Sequence, residues 1–507
     1  MGLVAAVSDN RGGPAPHRTY GNWRRPATAG LGQLGLAPTV LLLLGLIVVV
    51  LSMLVSVMLA LGLAVVLALV LAPLAVRDRY NRTMLSRMTT RLAWNRSAGS
   101  GSRIYRSGPL GRTGHGTCTL PGLAASSTLT EALDSYGRPF ALLSYPSSGH
   151  HVVVLSCDAD GAALVDQEQI DVWVAYWGQW LSGLSTEPGL VGASVTVETA
   201  PDSGLRLQHE VQSNLAPDAP ELARTMLQEV LAEYPASSAQ ISTRIALTYS
   251  GAARPGHPRR TSDDMAIDLG NRLPGLTSGL SMTGAGAARP LTAVELAEAV
   301  RVAYDPAVSP LIEEARTMGG SGLSWQDAGP QGAEESWDHY RHDSAWSATW
   351  SMSEAPRGEV LSSVLNSLLL PHTDIARKRV TLLYRPHDPA SAARIVERDK
   401  RDAIFRAKQG PTGRARDDAA LQAAEQSAQE EASGAGVVRF GLVVTATVNG
   451  HDDLPRARAA VDNLAAPARI ALRPVWGSQA SAFAAGLPIG LVLPLHLAVP
   501  ATIRDNM

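Results

Sequence analysis

The 507-residue sequence contains only two cysteines, Cys118 and Cys157. Two cysteines cannot form a disulfide framework or a four-cysteine zinc site. The formal net charge of −2 excludes a globally basic nucleic-acid binder, although a balanced total can hide local basic surfaces. The chain also lacks the GxxxxGK[ST] phosphate loop, the HExxH zinc helix, the GxSxG nucleophile motif and any CxxC pair. These absences predict that the protein is not an enzyme, and we expect neither a metal nor a cofactor.

Charge is also absent from a long stretch, because no charged residue lies between Arg25 and Arg77. As one helix, the densely apolar part 36–76 would be about 60 Å long, twice the ~30 Å hydrocarbon core of a bilayer. It therefore predicts a transmembrane hairpin of two spans of about 18–20 residues that turns near 52–56. One long tilted helix and a buried hairpin of a soluble protein are the alternatives.

Basic residues flank the apolar stretch on both sides. They include Arg24, Arg25, Arg77, Arg79 and Arg82. By the positive-inside rule, both ends of the hairpin then lie in the cytoplasm. The sequence therefore predicts a multi-pass protein of the plasma (inner) membrane with both termini cytoplasmic and a large cytoplasmic body.

The segment after the apolar stretch predicts a helix that lies on the membrane surface. Between residues 77 and 130 there are nine arginines and one acidic residue. Apolar residues share one face of the predicted helix with two arginines beside them, namely Leu85, Met88, Leu92, Arg87 and Arg91. The arginines would contact anionic headgroups, and a basic collar around a passage for nucleic acid or protein is the alternative. Residues 97–116 are rich in Gly and Ser and predict a linker.

The order strand-strand-helix-strand-helix-strand recurs along the remaining chain and predicts α/β modules of ferredoxin-like size. The fold class is therefore an α+β membrane protein with two such modules and helical insertions. The predicted parts are a cytoplasmic tail (1–35), the hairpin (36–76), a basic juxtamembrane helix and linker (77–138), a first module (139–255), a helical segment (256–335) and a second module (336–507) with a long helical insertion (389–433). The modules share an element order but no visible residue-level repeat, so duplication is a hypothesis about the fold.

An aromatic helix predicted over 164–184 is the first candidate partner interface. Trp173 and Trp177 fall on the face that fits a core, whereas Tyr176 and Trp180 lie with Val172 on another face. If that second face is exposed, its aromatic side chains would mark a partner surface. Burial beneath a neighbouring segment is the alternative.

A polar and aromatic stretch over 335–358 is the second candidate interface. A metal-dependent hydrolase that uses His339, His342 and Asp343 is the rival interpretation, but a metal site needs three or four converging ligands and the sequence offers no second cluster. The remaining residues of this candidate interface are Trp337, Tyr340, Trp346 and Trp350. Trp346 and Trp350 are four residues apart on a predicted strand and would face the same side.

Seven stretches resemble one actinobacterial family of two-span integral membrane proteins. They are RTYGNWRRP (18–26), RDRYNRT (77–83), YRSGPLG (105–111), LVDQEQIDVWVAYWGQWL (164–181), GASVTVETAPD (192–202), ESWDHYRHDSAWSATWSMSEAPRG (335–358) and RKRVTLLYRPHDP (377–389). Genes of this family tend to accompany conjugation-type ATPases and polytopic membrane subunits. The layout is also similar to a PrgI-like membrane subunit of type IV secretion joined to the α/β N-terminal domain of that system's ATPase, and more distantly to EccE of type VII secretion.

The resemblance implies a structural inner-membrane subunit of a type IV-like conjugation or secretion apparatus. Its implied partners are the lipid bilayer, a P-loop ATPase in trans and a polytopic membrane channel subunit, and the family has no catalytic residues to transfer. The alternatives are an EccE-like type VII component and a membrane-tethered nucleic-acid-binding protein that uses the arginines of 87–112. The cargo (DNA or protein), direct nucleic-acid contact, homo-oligomerisation and stoichiometry are left open by the sequence.

Overall fold

The computed structural model describes residues 18–21, 23, 36–80, 82–111, 117–161, 165–237, 239–253, 258–356, 358–409 and 415–497. The chain forms two compact units. We call residues 23–103 the helical unit, and the remainder, which includes residues before 23 and the chain from 104 onwards, the sheet unit.

The helical unit contains α1 (Leu36–Met53), α2 (Val57–Ala75) and α3 (Met84–Ser100). Only three residues separate α1 from α2, and they lie where the sequence predicts a turn. The two helices pack closely at Gly45, where an added Cβ would lie 2.4 Å from Leu67 Cδ1. Among the described residues, α2 alone is long and apolar enough to cross a membrane, and the shorter apolar part of α1 is Thr39–Met53.

α3 confirms the helix predicted after the apolar stretch. It begins at Thr83, whose side chain accepts a hydrogen bond from the Ser86 amide, as an N-cap residue does. It ends at Gly101, which has a φ of +69° and closes the helix in the left-handed region that favours glycine. The three apolar residues of its predicted apolar face are all exposed within this unit: Leu85, Met88 and Leu92.

The sheet unit contains strands β1 (Ile104–Arg106), β2 (Thr128–Leu133), β3 (Pro139–Tyr145), β4 (His150–Asp158), β5 (Leu190–Pro201), β6 (Ala239–Ser250), β7 (Ala287–Pro290), β8 (Gly332–Glu335), β9 (Tyr340–His342), β10 (Ala345–Glu354), β11 (Arg377–Pro386), β12 (Val438–Val448) and β13 (Ala471–Pro474). Its helices are α4 (Gln167–Gly183), α5 (Leu205–Asn214), α6 (Glu221–Ser237), α7 (Ser262–Ser278), α8 (Ala293–Tyr304), α9 (Ser309–Thr317), α10 (Asn366–Leu369), α11 (Pro389–Gln409), α12 (Ala415–Ala432), α13 (Leu454–Ala465) and α14 (Gln479–Ala485). These elements confirm the predicted α+β class.

All the strands belong to one sheet in which every pairing is antiparallel. The order is β1-β8-β9-β10-β12-β11-β5-β6-β4-β3-β2, with β13 beside β10 and β7 beside β4. The first half therefore contains β7-β4-β6-β5 and the second half β13-β10-β12-β11. Each is a split β-α-β arrangement, and the two halves meet where β5 pairs with β11. We call this junction the seam.

The two halves repeat each other in strand register as well as in order. In the first half, one row across four strands consists of Val195, Ile245, Leu155 and Pro290. The matching row in the second half consists of Val380, Val444, Trp350 and Pro474. Across the seam, Thr196 pairs with Thr381, and their hydroxyl oxygens lie 3.2 Å apart. The fold thus contains an internal repeat that the residue identities do not reveal.

Three apolar clusters cover the sheet. Alternate residues of β3 point into different clusters: Phe140 and Leu142 join one, and Ala141 and Leu143 join another. Because successive side chains of a strand point to opposite faces, the two clusters lie on opposite faces of the sheet. The third cluster surrounds Trp350 in the second half.

The predicted linker and part of the predicted helical segment are strands instead. Within 97–116, α3 continues to Ser100 and β1 pairs with β8, while residues 112–116 lie outside the described part of the chain. Tyr105 holds β1 in place, because its hydroxyl donates a hydrogen bond to the Thr119 carbonyl over 2.6 Å. Strand β2 also falls before the expected first module, and β7 and β8 fall inside 256–335.

Residues 359–370 contain little helix. Only a 3-10 turn at Ser362–Leu365 and the four-residue α10 are present. The physical reason lies at Val360, whose amide and carbonyl both bond to the backbone of Tyr20, over 2.8 Å in each case. A residue held in that extended pairing cannot begin a helix.

Candidate functional site

The juxtamembrane arginines have different surroundings within the helical unit. Arg24 and Arg25 lie outside the described residues, and Arg77 forms an isolated bridge with Thr83. The Arg79 guanidinium lies 4.7 Å from the centre of the Tyr80 ring, and Arg82 donates a hydrogen bond to Thr90 Oγ1 over 2.8 Å. Arg87 and Arg91 are exposed on α3.

Most of the aromatic face of α4 is used inside the sheet unit. Trp177 and Trp180 stack with their ring centres 5.1 Å apart, and Trp180 Nε1 donates a hydrogen bond to the Leu276 carbonyl. Trp173 packs on Gly284, where an added Cβ would lie 2.7 Å from the indole ring. Trp180 is therefore buried against the C-terminal part of α7, which is the alternative that the sequence left open.

Of the three residues on the second face of α4, two do stay at the surface. Tyr176 is 39% exposed and Val172 is 42% exposed, as the spacing predicts. They form a small patch rather than the extended aromatic stripe expected for a partner interface.

The candidate interface at 335–358 is also largely internal. Tyr340 and Trp350 are buried, and Trp346 packs beside Trp350 against the same apolar cluster, which confirms that these two tryptophans face one side. Trp337 is half-buried. The buried side chains of this segment stabilise the fold and offer no surface to a partner.

His342 is a fully buried polar group of this segment. Its Nδ1 donates a hydrogen bond to the Tyr304 carbonyl over 2.5 Å, and its Nε2 accepts one from Ser347 Oγ over 2.7 Å. We assign this tautomer from the network, because a carbonyl can only accept. Burial lowers the pKa of His342 to about 4, so the ring is neutral and both of its nitrogens are occupied.

The proposed metal ligands do not converge. His339 Nδ1 lies 2.8 Å from Asp338 Oδ1, whereas His342 bonds to Tyr304 and Ser347. Asp343 forms an ion pair with Arg301 over 3.0 Å. Across the part of the chain that the structure describes, no group of three or more His, Cys, Asp or Glu residues could hold a metal ion.

The structure brings together a set of charges that the sequence analysis missed. Glu198 of β5, Arg244 of β6, and Arg377 and Arg379 of β11 lie on one face of the sheet at the seam. We call these four residues the seam cluster. Glu198 is 5% exposed and Arg379 is 1% exposed, so both charges are held away from solvent.

Glu198 is shared by all three arginines of the seam cluster. Its Oε1 lies 3.1 Å from Arg377 and 3.6 Å from Arg379, and its Oε2 lies 3.3 Å from Arg244. Burial by itself disfavours the carboxylate, but the three guanidinium groups outweigh burial and lower the pKa of Glu198 to about 2. Glu198 is therefore ionised throughout the physiological range.

Arg379 is the least satisfied member of the seam cluster. Its carbon Cζ lies 4.6 Å from the centre of the Phe483 ring, which covers one face of the guanidinium. Among the described residues, none of its three nitrogens has a hydrogen-bond acceptor. Burial lowers the pKa of Arg379, with the attraction of Glu198 acting in the opposite direction.

Sequence reasoning missed the seam cluster because each member lies in an ordinary strand pattern. Arg377 and Arg379 belong to the run RKRV, which is typical of a solvated surface. A signal was nevertheless present, because the same strand continues as VTLLY, which predicts a buried central strand. Charged residues are unusual in such a strand. The pairing of β5 with β11, which joins residues about 180 positions apart, cannot be deduced from that signal.

A family model described as a domain of unknown function (DUF8461) matches residues 27–86, which cover the apolar helices and the start of α3. No curated protein sequence matches the chain.

Proposed function

We propose that the protein is a membrane-anchored structural subunit of a type IV-like conjugation or secretion apparatus. In this proposal α1 and α2 cross the inner membrane as a hairpin, α3 lies at the cytoplasmic surface, and the sheet unit docks a separate P-loop ATPase and a polytopic channel subunit. The observation that carries the proposal is the apolar surface of the helical unit.

That surface is unusually large for two short helices. Most of the described Leu, Val, Ile and Met side chains of α1, α2 and the turn between them are exposed within the unit, for example Leu44 at 57%, Leu54 at 84% and Met58 at 82%. Exposed apolar area on this scale is not stable in water and needs a bilayer or a partner to cover it. At 1.5 Å per residue, α2 is about 28 Å long, which matches the ~30 Å hydrocarbon core.

Chain connectivity supports an even number of crossings. Tyr20 pairs with Val360, and β1 begins at Ile104, so the chain belongs to the sheet unit both before and after the helical unit. A single folded body cannot lie on both sides of a bilayer. If the helical unit enters the membrane, both of its ends must therefore return to the same side.

The helical insertions of the sheet unit support a docking role. The pair α5–α6 follows β5, and the pair α11–α12 follows β11, which are the equivalent strands of the internal repeat. On α6, Leu222, Met226 and Val230 are exposed at a spacing of four residues and form one apolar stripe. We propose this stripe, rather than the buried aromatic residues of 335–358, as the surface that contacts the ATPase.

Cysteine labelling tests the membrane topology. In a background with Cys118→Ser and Cys157→Ala, a Leu54→Cys variant places a thiol at the hairpin tip, and a Tyr136→Cys variant places one at a 74% exposed site of the sheet unit. We expect a membrane-impermeant maleimide to label the tip in intact cells and the sheet unit only after lysis. Labelling of both positions only after lysis would exclude a crossing.

A pull-down from native membranes tests the partners. We expect the wild-type protein to recover a P-loop ATPase and a polytopic subunit. A Leu222→Ser/Met226→Ser/Val230→Ser variant should lose the ATPase, while Ile267→Ser, which alters an exposed residue of α7, should retain both. Recovery of type VII components would favour the EccE-like alternative. Recovery of a homo-oligomer alone, or steeply salt-dependent DNA binding, would contradict the proposal.

A further inference from the structure

We propose that the seam cluster is a binding site for a small tetrahedral oxyanion such as inorganic phosphate, with Arg379 as its innermost ligand. The first observation is the set of nitrogen donors on Arg379. Its Nε and both terminal nitrogens are buried, and among the described residues none of them has a hydrogen-bond acceptor. A buried guanidinium without acceptors is strongly unfavourable, so an acceptor of another kind is expected there.

The charges of the seam cluster do not balance. Three guanidinium groups share the single carboxylate of Glu198. The other buried carboxylate nearby, Glu298, is already engaged, because Arg316 pairs with it over 2.6 Å and Ser321 donates a hydrogen bond to it over 2.5 Å. The seam cluster therefore carries an excess of two positive charges, which a divalent oxyanion would neutralise and a monovalent one would halve.

The neighbours of Arg379 fix the orientation of its guanidinium group. Phe483 stacks on one face of the guanidinium, which fixes the plane of the group. Glu198 Oε1 lies 3.6 Å from Arg379 Nη1, and this separation is too long for a hydrogen bond. A guanidinium held in this way presents a planar fork that fits two oxygens of one anion.

Arginine side chains connect this position with the surface. The exposed fraction of the side chain falls from 47% at Arg316 to 17% at Arg244, 13% at Arg377 and 1% at Arg379. Arg316 is also close enough to Arg244 for its charge to lower the pKa of that group, after the larger effect of burial. A small anion that enters beside Arg316 thus meets a positive potential that increases, and an exposure to solvent that decreases, towards Arg379.

Anion-dependent stability of the full-length protein in detergent tests this proposal. The melting temperature is measured while sodium phosphate or sodium sulfate replaces sodium chloride at constant ionic strength. We expect a saturable rise in wild type, whereas Arg379→Met should not respond and should melt at or above wild type in chloride alone, since it lacks the unsatisfied charge. Arg341→Met, which alters an exposed arginine of β9, should respond as wild type does.

Calorimetric titration with phosphate and sulfate provides the second measurement. Arg244→Gln should raise the dissociation constant for either anion at least tenfold, and it replaces Arg379→Met if that variant does not fold. An unsaturable response, or equal responses of wild type and both seam variants, would show that the seam cluster holds only water or the protein charges, and would overturn the proposal. The result is independent of the membrane and partner experiments.

Discussion

The hydroxyl group of Tyr20 donates a hydrogen bond to Asp171 Oδ1 over 2.9 Å, which joins the chain ahead of α1 to the first turns of α4. Tyr20 is only 6% exposed. Its backbone amide donates a hydrogen bond to the Val360 carbonyl, and its carbonyl accepts one from the Val360 amide. Burial first, and then the hydrogen bond to Asp171, raise the pKa of Tyr20 to about 12, so the hydroxyl remains a donor at every physiological pH. This tether is what makes the segment before the apolar helices part of the sheet unit.

Removal of the tether hydroxyl should weaken the sheet unit. Tyr20→Phe keeps the ring but leaves Asp171 without this donor, and we expect a loss of about 1 kcal/mol in the free energy of unfolding. Tyr20→Ala also removes the buried ring and should cost about 3 kcal/mol. Denaturant unfolding measures both changes. Tyr136→Phe is the control, because that side chain is 74% exposed, and an equal effect there would contradict the interpretation.

Loss of the shared carboxylate should destabilise the seam. Glu198→Gln leaves three buried guanidinium groups without a counter-charge, and breaking such an arrangement costs about 3–5 kcal/mol. A second change, Arg379→Met, should recover part of that loss, because it removes one of the uncompensated charges. Denaturant unfolding of both variants, beside the surface control Glu334→Gln, measures these effects, and a double variant no more stable than Glu198→Gln alone would contradict this account.

Acid should destabilise the seam by protonating Glu198. The pKa of Glu198 is about 2 in the folded protein, below its usual 4.5. The carboxylate therefore stabilises the fold fully above pH 4.5, and that contribution is lost as the pH falls towards 2. The slope of stability against pH in this window should be smaller in Glu198→Gln than in wild type.

Local patterns in the sequence predict the elements of the fold better than their connections. The capping box of α8 is an example, since it depends on two residues that are three apart: the Thr292 amide donates to Glu295 Oε2 over 2.9 Å, and Thr292 Oγ1 accepts from the Glu295 amide. The turn between α1 and α2 is found where the apolar stretch predicts it. These features depend on residues close together in the chain, so a short window of sequence contains the information.

Long-range pairing explains what the sequence did not reveal. β1 has only three residues and exists because β8 lies beside it, so the Gly/Ser-rich stretch around it resembles a linker. The two halves of the internal repeat share their strand register, but the residues at equivalent positions differ, as Leu155 and Trp350 do. The repeat is therefore not visible in the residue identities. The seam cluster escaped prediction for the same reason, because it forms only when β5 of the first half pairs with β11 of the second.

Protonation of His342 should destabilise the sheet unit in mild acid. The pKa of this histidine is about 4 in the folded protein, because burial disfavours the charged ring, against 6.5 in an unfolded chain. The stability that the neutral ring provides is complete above pH 6.5 and decreases as the pH falls to 4. We expect a loss of about 3 kcal/mol across this range from this residue alone.

Two variants isolate the contribution of His342. His342→Gln cannot be protonated, so its stability should change less between pH 6.5 and 4, although it should be lower at neutral pH because the bonds to Tyr304 and Ser347 are disturbed. His451→Gln is the control, since that side chain is 60% exposed. A pH profile of His342→Gln that parallels wild type would assign the acid sensitivity to other groups.

Removal of the buried charge at Lys378 should stabilise the protein. This side chain is 2% exposed, and its Nζ donates a hydrogen bond to the Leu370 carbonyl. Burial lowers the pKa of Lys378 to about 8 from 10.5, so the unfolded chain binds more protons between these values and the free energy of unfolding should rise with pH across that window. Lys378→Met should add roughly 1–3 kcal/mol at pH 7 and abolish most of this rise, whereas Lys400→Met on α11 should change neither. Denaturant unfolding between pH 7 and 10.5 measures both effects, and a less stable Lys378→Met variant at pH 7 would mean that its hydrogen bond outweighs the cost of burying its charge.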